Sequence, residues 1–438
     1  MNILFLCNRP SENSQASTVT DYLNALKKYS VHKVYEIPML HHFPSKIDLE
    51  KFDIVITHYS LSLGPQIEHY LGKNLIEKLK KYNGLKISFL QDEYRDVRTY
   101  WKNLNELGID ILFSCVPTHE ISNVYPPREV PNLKVVNVLT GYIPESLTSF
   151  KQYPIKNRPI DVGYRTRKTP FWLGRLGYEK VFIADEFKKK SINYNLNINF
   201  STNEGDRLYG NKWVEFVSSC KTIIGVESGA SIVDFDGLIE KNVESYIRNN
   251  TNVSFEEVFD KFLIPYESNI CLNQISPRCF EAAVLKTPMI LFEGKYSGIL
   301  KPHRHYIPLK KDFSNFDYII KKINDPHGLQ KMADIVYEEI ALNPKLSYQN
   351  FIKKVDKVIN KEFKIRKKIA NDIQYSTAEF NKHLVLSVGY TLRRNITMFF
   401  QKIFLGNSSL RRIVFRVWEL SPERIQKIIR PLARAISR

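Results

Sequence analysis

The chain has 438 residues, 43% of them hydrophobic and 25% charged, and carries a formal charge of +18 at pH 7 with a pI near 9.4. Its length exceeds one ordinary core and points to two domains plus an extension, while the composition excludes an intrinsically disordered chain. The positive charge favours anionic partners: nucleotide diphosphates, nucleic acid or acidic lipid.

The opening Met1-Asn-Ile-Leu-Phe-Leu-Cys7 has no basic leader, long apolar core or small-residue cleavage site, so Ile3 to Cys7 reads as a first strand rather than a signal peptide. Further strands follow at Phe52 to Thr57, Leu85 to Leu90, Asp110 to Cys115 and Lys134 to Leu139, with helical spacing between them, as in Ile67 to Tyr82. Strands alternating with helices predict a parallel sheet with right-handed crossovers over residues 1–150. A polar, proline-containing linker runs from Pro144 to Pro159. A second series then begins at Ile160 to Tyr164 and continues through Leu196 to Ser201, Thr222 to Val226 and Met289 to Phe292, giving a second domain over 151–345. A helical, acidic insertion interrupts it at 234–270. The expected fold class is α/β, two tandem Rossmann-like doubly wound domains with a cleft at the carboxyl ends of their strands.

Residues 346–438 read as a crossing helix, over the Lys-rich Tyr348 to Lys368, and a basic tail. Leu384 to Leu405 is apolar but broken by Arg393, Arg394 and Lys402, which argues against a membrane span. A last helix is predicted from the Ser421-Pro-Glu start, with Ile425, Ile428, Ile429, Leu432, Ala433 and Ile436 on one face and Arg424, Lys427, Arg430, Arg434 and Arg438 on the other. From Tyr390 onward eleven Arg and Lys stand against Glu419 and Glu423, a net nine of the eighteen excess charges. Leu384 to Arg438 is therefore expected outside both cores and on an anionic membrane surface, each basic residue contributing about 1 kcal/mol; packing on the protein is the alternative. The five cysteines are odd in number and scattered, which suits a reduced, cytosolic protein.

The stretch Ser276-Pro-Arg-Cys-Phe-Glu281 opens a helix that feeds the strand Met289 to Phe292, with Ser276 as cap and Pro277 at the first position. The loop ahead of such a helix seats phosphate, with Arg278 beside it, and Glu281 can accept bonds from two vicinal hydroxyls such as those of a ribose. Arg165 and Arg167, in Asp161-Val-Gly163-Tyr-Arg165-Thr-Arg167, end the first strand of the second domain and can neutralise a diphosphate without a metal. Glu227 and Ser228 follow a strand and belong on the cleft rim. His58, Asp92 and Glu93 emerge at strand ends of the first domain, where an imidazole or carboxylate can take an acceptor proton. His305, too near Arg304 and Lys301 to suggest a metal pair, is expected to meet phosphate or sugar groups of a ligand. Asp234-Phe-Asp236 spells a metal motif but opens the insertion, which favours turn or cap duty.

Arg278-Cys-Phe-Glu281-Ala-Ala-Val-Leu-Lys-Thr-Pro288, with the later Tyr296-Ser-Gly298, His305-Tyr-Ile-Pro-Leu-Lys310 and Asn324-Asp-Pro326, resembles the group 1 glycosyltransferases of GT-B fold. The branch indicated is family-4-like or spore-maturation-like, and the resemblance spans Ile160 to Ala341. It implies that Glu281 holds the donor ribose and that Gly163 and a basic residue face the diphosphate. Where family-4 relatives commonly carry an acid contacting the donor sugar, this chain has Asn273. The implied activity is hexosyl transfer from a nucleotide sugar to a lipid-linked or cell-surface glycan, with no metal or other cofactor and no nucleic-acid partner. The implied location is cytoplasmic, peripheral at the inner face of the membrane. The rivals are a nucleotide-sugar epimerase on the same scaffold and a basic nucleic-acid-binding protein.

Overall fold

The computed structural model describes residues 1–10, 15–39, 42–366 and 374–395. Strands β1 (Asn2–Cys7), β2 (Lys33–Pro38), β3 (Ile54–Thr57), β4 (Leu85–Leu90), β5 (Ile111–Ser114) and β6 (Lys134–Asn137) form one sheet in the order β2-β1-β3-β4-β5-β6. Strands β7 (Ile160–Arg165), β8 (Ile198–Ser201), β9 (Cys220–Gly225), β10 (Met289–Phe292) and β11 (Ile307–Leu309) form a second sheet in the order β11-β10-β9-β7-β8. All pairings are parallel. The central strands β1, β3, β4, β5 and β10 are buried along their whole length, because helices cover both faces. In each sheet the chain steps to one side of its first strand and then to the other, which opens a crevice between β1 and β3 and between β7 and β9. This is the two-domain GT-B layout.

Two strands escape the sequence pattern, β2 and β11. Both are sheet edges and both contain a proline, Pro38 and Pro308, which an edge tolerates because one side of it needs no ladder partner. The predicted helical stretch Ile67 to Tyr82 is two helices, Ile67–Leu71 and Lys73–Lys81, divided at Gly72, whose φ of 75° ends the first.

The linker is pinned to the second domain by a buried Arg158. Its guanidinium donates to the carbonyls of Tyr153, Cys220, Leu285 and Lys286 and to the Thr287 hydroxyl, at 2.7–3.1 Å. Burial pulls its pKa to about 10, still far above neutral, so it stays charged against the carbonyl end of the helix Pro277–Val284.

After the second domain the helix Tyr348–Ile365 returns to the first. Ser347 caps it, and Phe351, Ile352, Val355 and Ile359 enter the first domain's core beside Tyr22 and Tyr142. The chain then adds Tyr375, Phe380 and Tyr390 to the opposite face of the same sheet, against Tyr35 and Phe52, and the Tyr390 hydroxyl donates to the Pro38 carbonyl at 2.9 Å. The expectation that everything from Leu384 lies outside both cores is therefore corrected at Tyr390, which is 1% exposed. The final helix predicted from Ser421 lies outside the described residues. Among those described, no helix is long and apolar enough to cross a membrane.

Candidate functional site

A cleft of about 680 Å³ opens between the domains at the carboxyl ends of their strands. One wall of it is the helix Pro277–Val284. Pro277 occupies the first position as expected, but Ser276 makes no side-chain cap and simply extends into the cleft rim. One turn in, Glu281 is buried, and burial raises its pKa. The Trp213 indole N–H donates to one carboxylate oxygen at 2.8 Å, and the Ser17 hydroxyl donates to the other at 3.2 Å. Ser17 begins the helix Ser17–Tyr29 of the first domain, so that second bond crosses the cleft. Each oxygen keeps a lone pair for a ligand hydroxyl.

Arg278 spans the aromatic rings of Tyr164 and Trp213, each 5.2 Å from its guanidinium carbon. One terminal nitrogen donates to the Arg165 carbonyl at 2.6 Å, and its Nε–H is buried with no partner among the described residues. Arg165 lines the cleft but is mostly committed: its guanidinium stacks on Phe216 and donates to the Tyr164 and Asn199 carbonyls and the Asn199 side chain. Arg167 is exposed in the cleft, and its guanidinium makes no hydrogen bond or ion pair among the described residues. Lys180, on the helix Gly174–Lys190, reaches the same space with its pKa lowered by burial. Sequence reasoning missed Lys180, one of several lysines on that helix, and Trp213, which no spacing ties to Glu281.

Three donor-side expectations are corrected. Glu227 is buried and turned away from the cleft, accepting from the Asn273 amide at 2.9 Å and the Tyr296 N–H at 2.7 Å. Asn273 is held there and does not line the cleft. His305 is buried outside the cleft lining, its Nδ1 accepting from the Lys301 N–H and its Nε2 bonded to Glu339 at 2.8 Å; Arg304 first and then this His305 contact pull the Glu339 pKa to about 2. Ser228 does line the cleft. The small residue after it serves the chain's own packing: Gly229 has φ 115°, and a Cβ there would sit 1.8 Å from the Leu272 carbonyl oxygen.

On the acceptor side one of three candidates faces the cleft. His58 is fully enclosed, its ring centroid 3.9 Å from that of Tyr59 and tilted against it, with Nδ1 bonded to the Ser60 hydroxyl and its pKa lowered by burial to about 3. Glu93 is also buried and accepts from the Ser114 and Tyr125 hydroxyls and the Cys115 N–H, its pKa raised by burial to about 7. Asp92 is exposed on the cleft wall, in the left-handed region at φ 59°, a conformation costing a non-glycine residue about 1–3 kcal/mol. A further carboxyl unforeseen in the sequence, Asp21, has its pKa raised to about 7 by burial and by the Glu281 and Glu145 charges. Asp234 and Asp236 take the cap duty expected, accepting from the N–H groups of Gly237, Leu238 and Glu240. Among the described residues no group of three or more His, Cys, Asp and Glu side chains is arranged to hold a metal ion.

No family model and no curated protein matches the chain. Among solved structures it is similar to an alpha-glucosyltransferase in complex with UDP-glucose and DNA containing an abasic site, at 12% identity and TM-score 0.48, covering 82% of this chain and 99% of that one. It is also similar to TarM, at 13% identity and TM-score 0.40 over 74% and 58% of the two chains. T4 phage beta-glucosyltransferase follows at 14% identity and TM-score 0.44 over 82% and 99%. At these identities, with TM-scores below 0.5, the similarities assign neither donor nor acceptor to this chain.

Proposed function

We propose that the protein is a glycosyltransferase, akin to the family-4-like or spore-maturation-like branch, that moves a hexose from a nucleotide sugar to a lipid-linked or cell-surface glycan. The observation that carries this reading is Glu281: a buried carboxylate on the first turns of a helix, held by Trp213, and facing a cleft at the switch point of a doubly wound sheet. A ribose supplies the two adjacent hydroxyls that such a carboxylate accepts. Arg278, Arg167 and Lys180 stand where the diphosphate would lie, and their charge stabilises the leaving nucleotide without a metal. Asp92, across the cleft, takes the proton of the acceptor hydroxyl if the anomeric centre is inverted. The reading places the enzyme in the cytoplasm, against the inner face of the membrane through its basic tail.

Calorimetric titration with UDP-, GDP- and ADP-sugars tests it. Binding to at least one, with release of the nucleoside diphosphate that survives a chelator, is expected; binding to none sinks the reading, and loss to chelation restored by manganese sinks its metal-free part. Nucleic acid is the rival partner for a chain this basic. Filter binding at two salt concentrations separates the two, because phosphate-backbone binding falls steeply with salt.

A further inference from the structure

The insertion does not end in solvent; it grips the first domain. The Asp234 N–H donates to the Tyr94 carbonyl at 2.8 Å, and the Asp234 and Phe235 carbonyls accept from the N–H groups of Val97 at 3.2 Å and Arg98 at 2.9 Å. Residues Arg95 and Asp234 thereby pair as a short parallel bridge between the domains. Beside it the Arg95 guanidinium forks onto Glu240, with Nε to Oε2 at 2.5 Å, and the Phe235 ring packs 5.7 Å from Trp101. The fully buried Asp234 carboxylate accepts from the Gly237 and Glu240 N–H groups at 2.9 Å, which fixes the helix Leu238–Asn249 and so the place of Glu240.

The segment gripped follows directly from β4 and contains two non-glycine residues in the left-handed region, Asp92 at φ 59° and Asp96 at φ 48°. Such conformations persist where the surroundings over-determine them, and here much of the surroundings belongs to the other domain. Tyr94, between them, packs against Trp172 of the second domain.

We propose that the insertion 234–270 is an interdomain latch that clamps the loop after β4 and so sets Asp92 in the cleft, with Arg95 and Glu240 as positioning residues. The proposal rests on the reading above that Asp92 receives the acceptor proton. An exposed ion pair is weak by itself, so the latch can release each time the cleft opens to admit substrate. The insertion would thus make the proton acceptor available when the domains are closed and withdraw it when they part.

The test uses the full chain with Arg95→Ala, Glu240→Ala and the charge reversal R95E/E240R. Two quantities are read: amide hydrogen exchange at Val97 and Arg98, and the kcat and KM for nucleoside diphosphate release from UDP-glucose, GDP-mannose and ADP-glucose. Each single variant should exchange about threefold to fivefold faster at those amides and lose about threefold to fivefold in kcat with KM within twofold, and the reversal should restore most of both. Unchanged exchange, a rise in KM in place of a fall in kcat, or a reversal that restores nothing overturns the latch. If the wild type binds and turns over none of the three donors, the glycosyltransferase reading is in question, and the exchange rates still decide the clamp.

Discussion

Glu281→Gln tests the donor site at a single atom. The amide keeps an oxygen for the Trp213 N–H but loses the charge and one acceptor, so a ribose held through charged hydrogen bonds should bind about 1.5–3 kcal/mol more weakly while the fold survives. Calorimetry on the folded variant measures this, and unchanged affinity removes Glu281 from the site. Two other acids set a pH dependence. Asp21 and Glu93 each have a folded pKa near 7, above the unfolded values near 4, so the native state holds more protons between those limits. Stability should therefore fall as pH rises from about 4 to 7, each group contributing a slope of about 1.4 kcal/mol for every whole step in pH. Urea unfolding of D21N/E93Q across that range should show a flatter profile; an equal slope in both proteins overturns the assignment. Glu281, Arg278, Arg167 and Asp92 were legible in the sequence because they follow strand ends or open a helix. Their neighbours were not, since successive residues leaving a strand point to opposite sides. Asp92 meets the cleft and Glu93 the core, as Tyr59 meets the cleft and His58 the core, and no composition signal decides that parity.

At the scale of elements the strands were readable where an apolar or alternating run of four or more residues survives in the sequence; β2, half-exposed and ending at Pro38, and β11, three residues with Pro308 at its centre, were not. The linker looked like a passive connector for a related reason. Its one decisive residue, Arg158, is polar in sequence and buried in the fold, where it satisfies the carbonyls of Leu285 and Lys286 at the end of the helix bearing Glu281. Arg158→Met should leave those carbonyls and that of Cys220 unpaired in the interior and cost about 3 kcal/mol or more, with donor affinity falling alongside through the displaced helix. Thermal unfolding gives the first quantity and calorimetry the second. A melting temperature within two degrees of wild type, about what a change under 1 kcal/mol produces in a domain of this size, would show that the linker is held by something else.

For the whole molecule, two domains and a helix crossing back were legible from the alternation of strands and helices, whereas the burial of Phe380 and Tyr390 beyond that helix was not. Between Phe380 and Tyr390 the more apolar Val385, Leu386 and Val388 are exposed, so hydrophobicity along this stretch does not mark which residues are core, yet Phe380 and Tyr390 are buried against the first sheet. A chain cut after Ser376 loses both, and by analogy with deleting large core side chains it should lose about 3–5 kcal/mol or more from the first domain. A chain cut after Asn395 keeps them and should melt like the full protein. That second cut is the proper test of membrane attachment, since it removes nearly all of the basic tail while keeping the exposed Val385, Leu386, Val388 and Leu392. The full chain should pellet with phosphatidylserine vesicles at low salt and release as salt rises, because screening shortens the reach of its Arg and Lys charges. The 1–395 chain should bind nucleotide sugar as before and stay in the supernatant. If it pellets equally well, the attachment lies in the exposed apolar residues before 396 and the tail has another task; if the full chain ignores the vesicles, the peripheral membrane reading fails and the charge must answer to another anion.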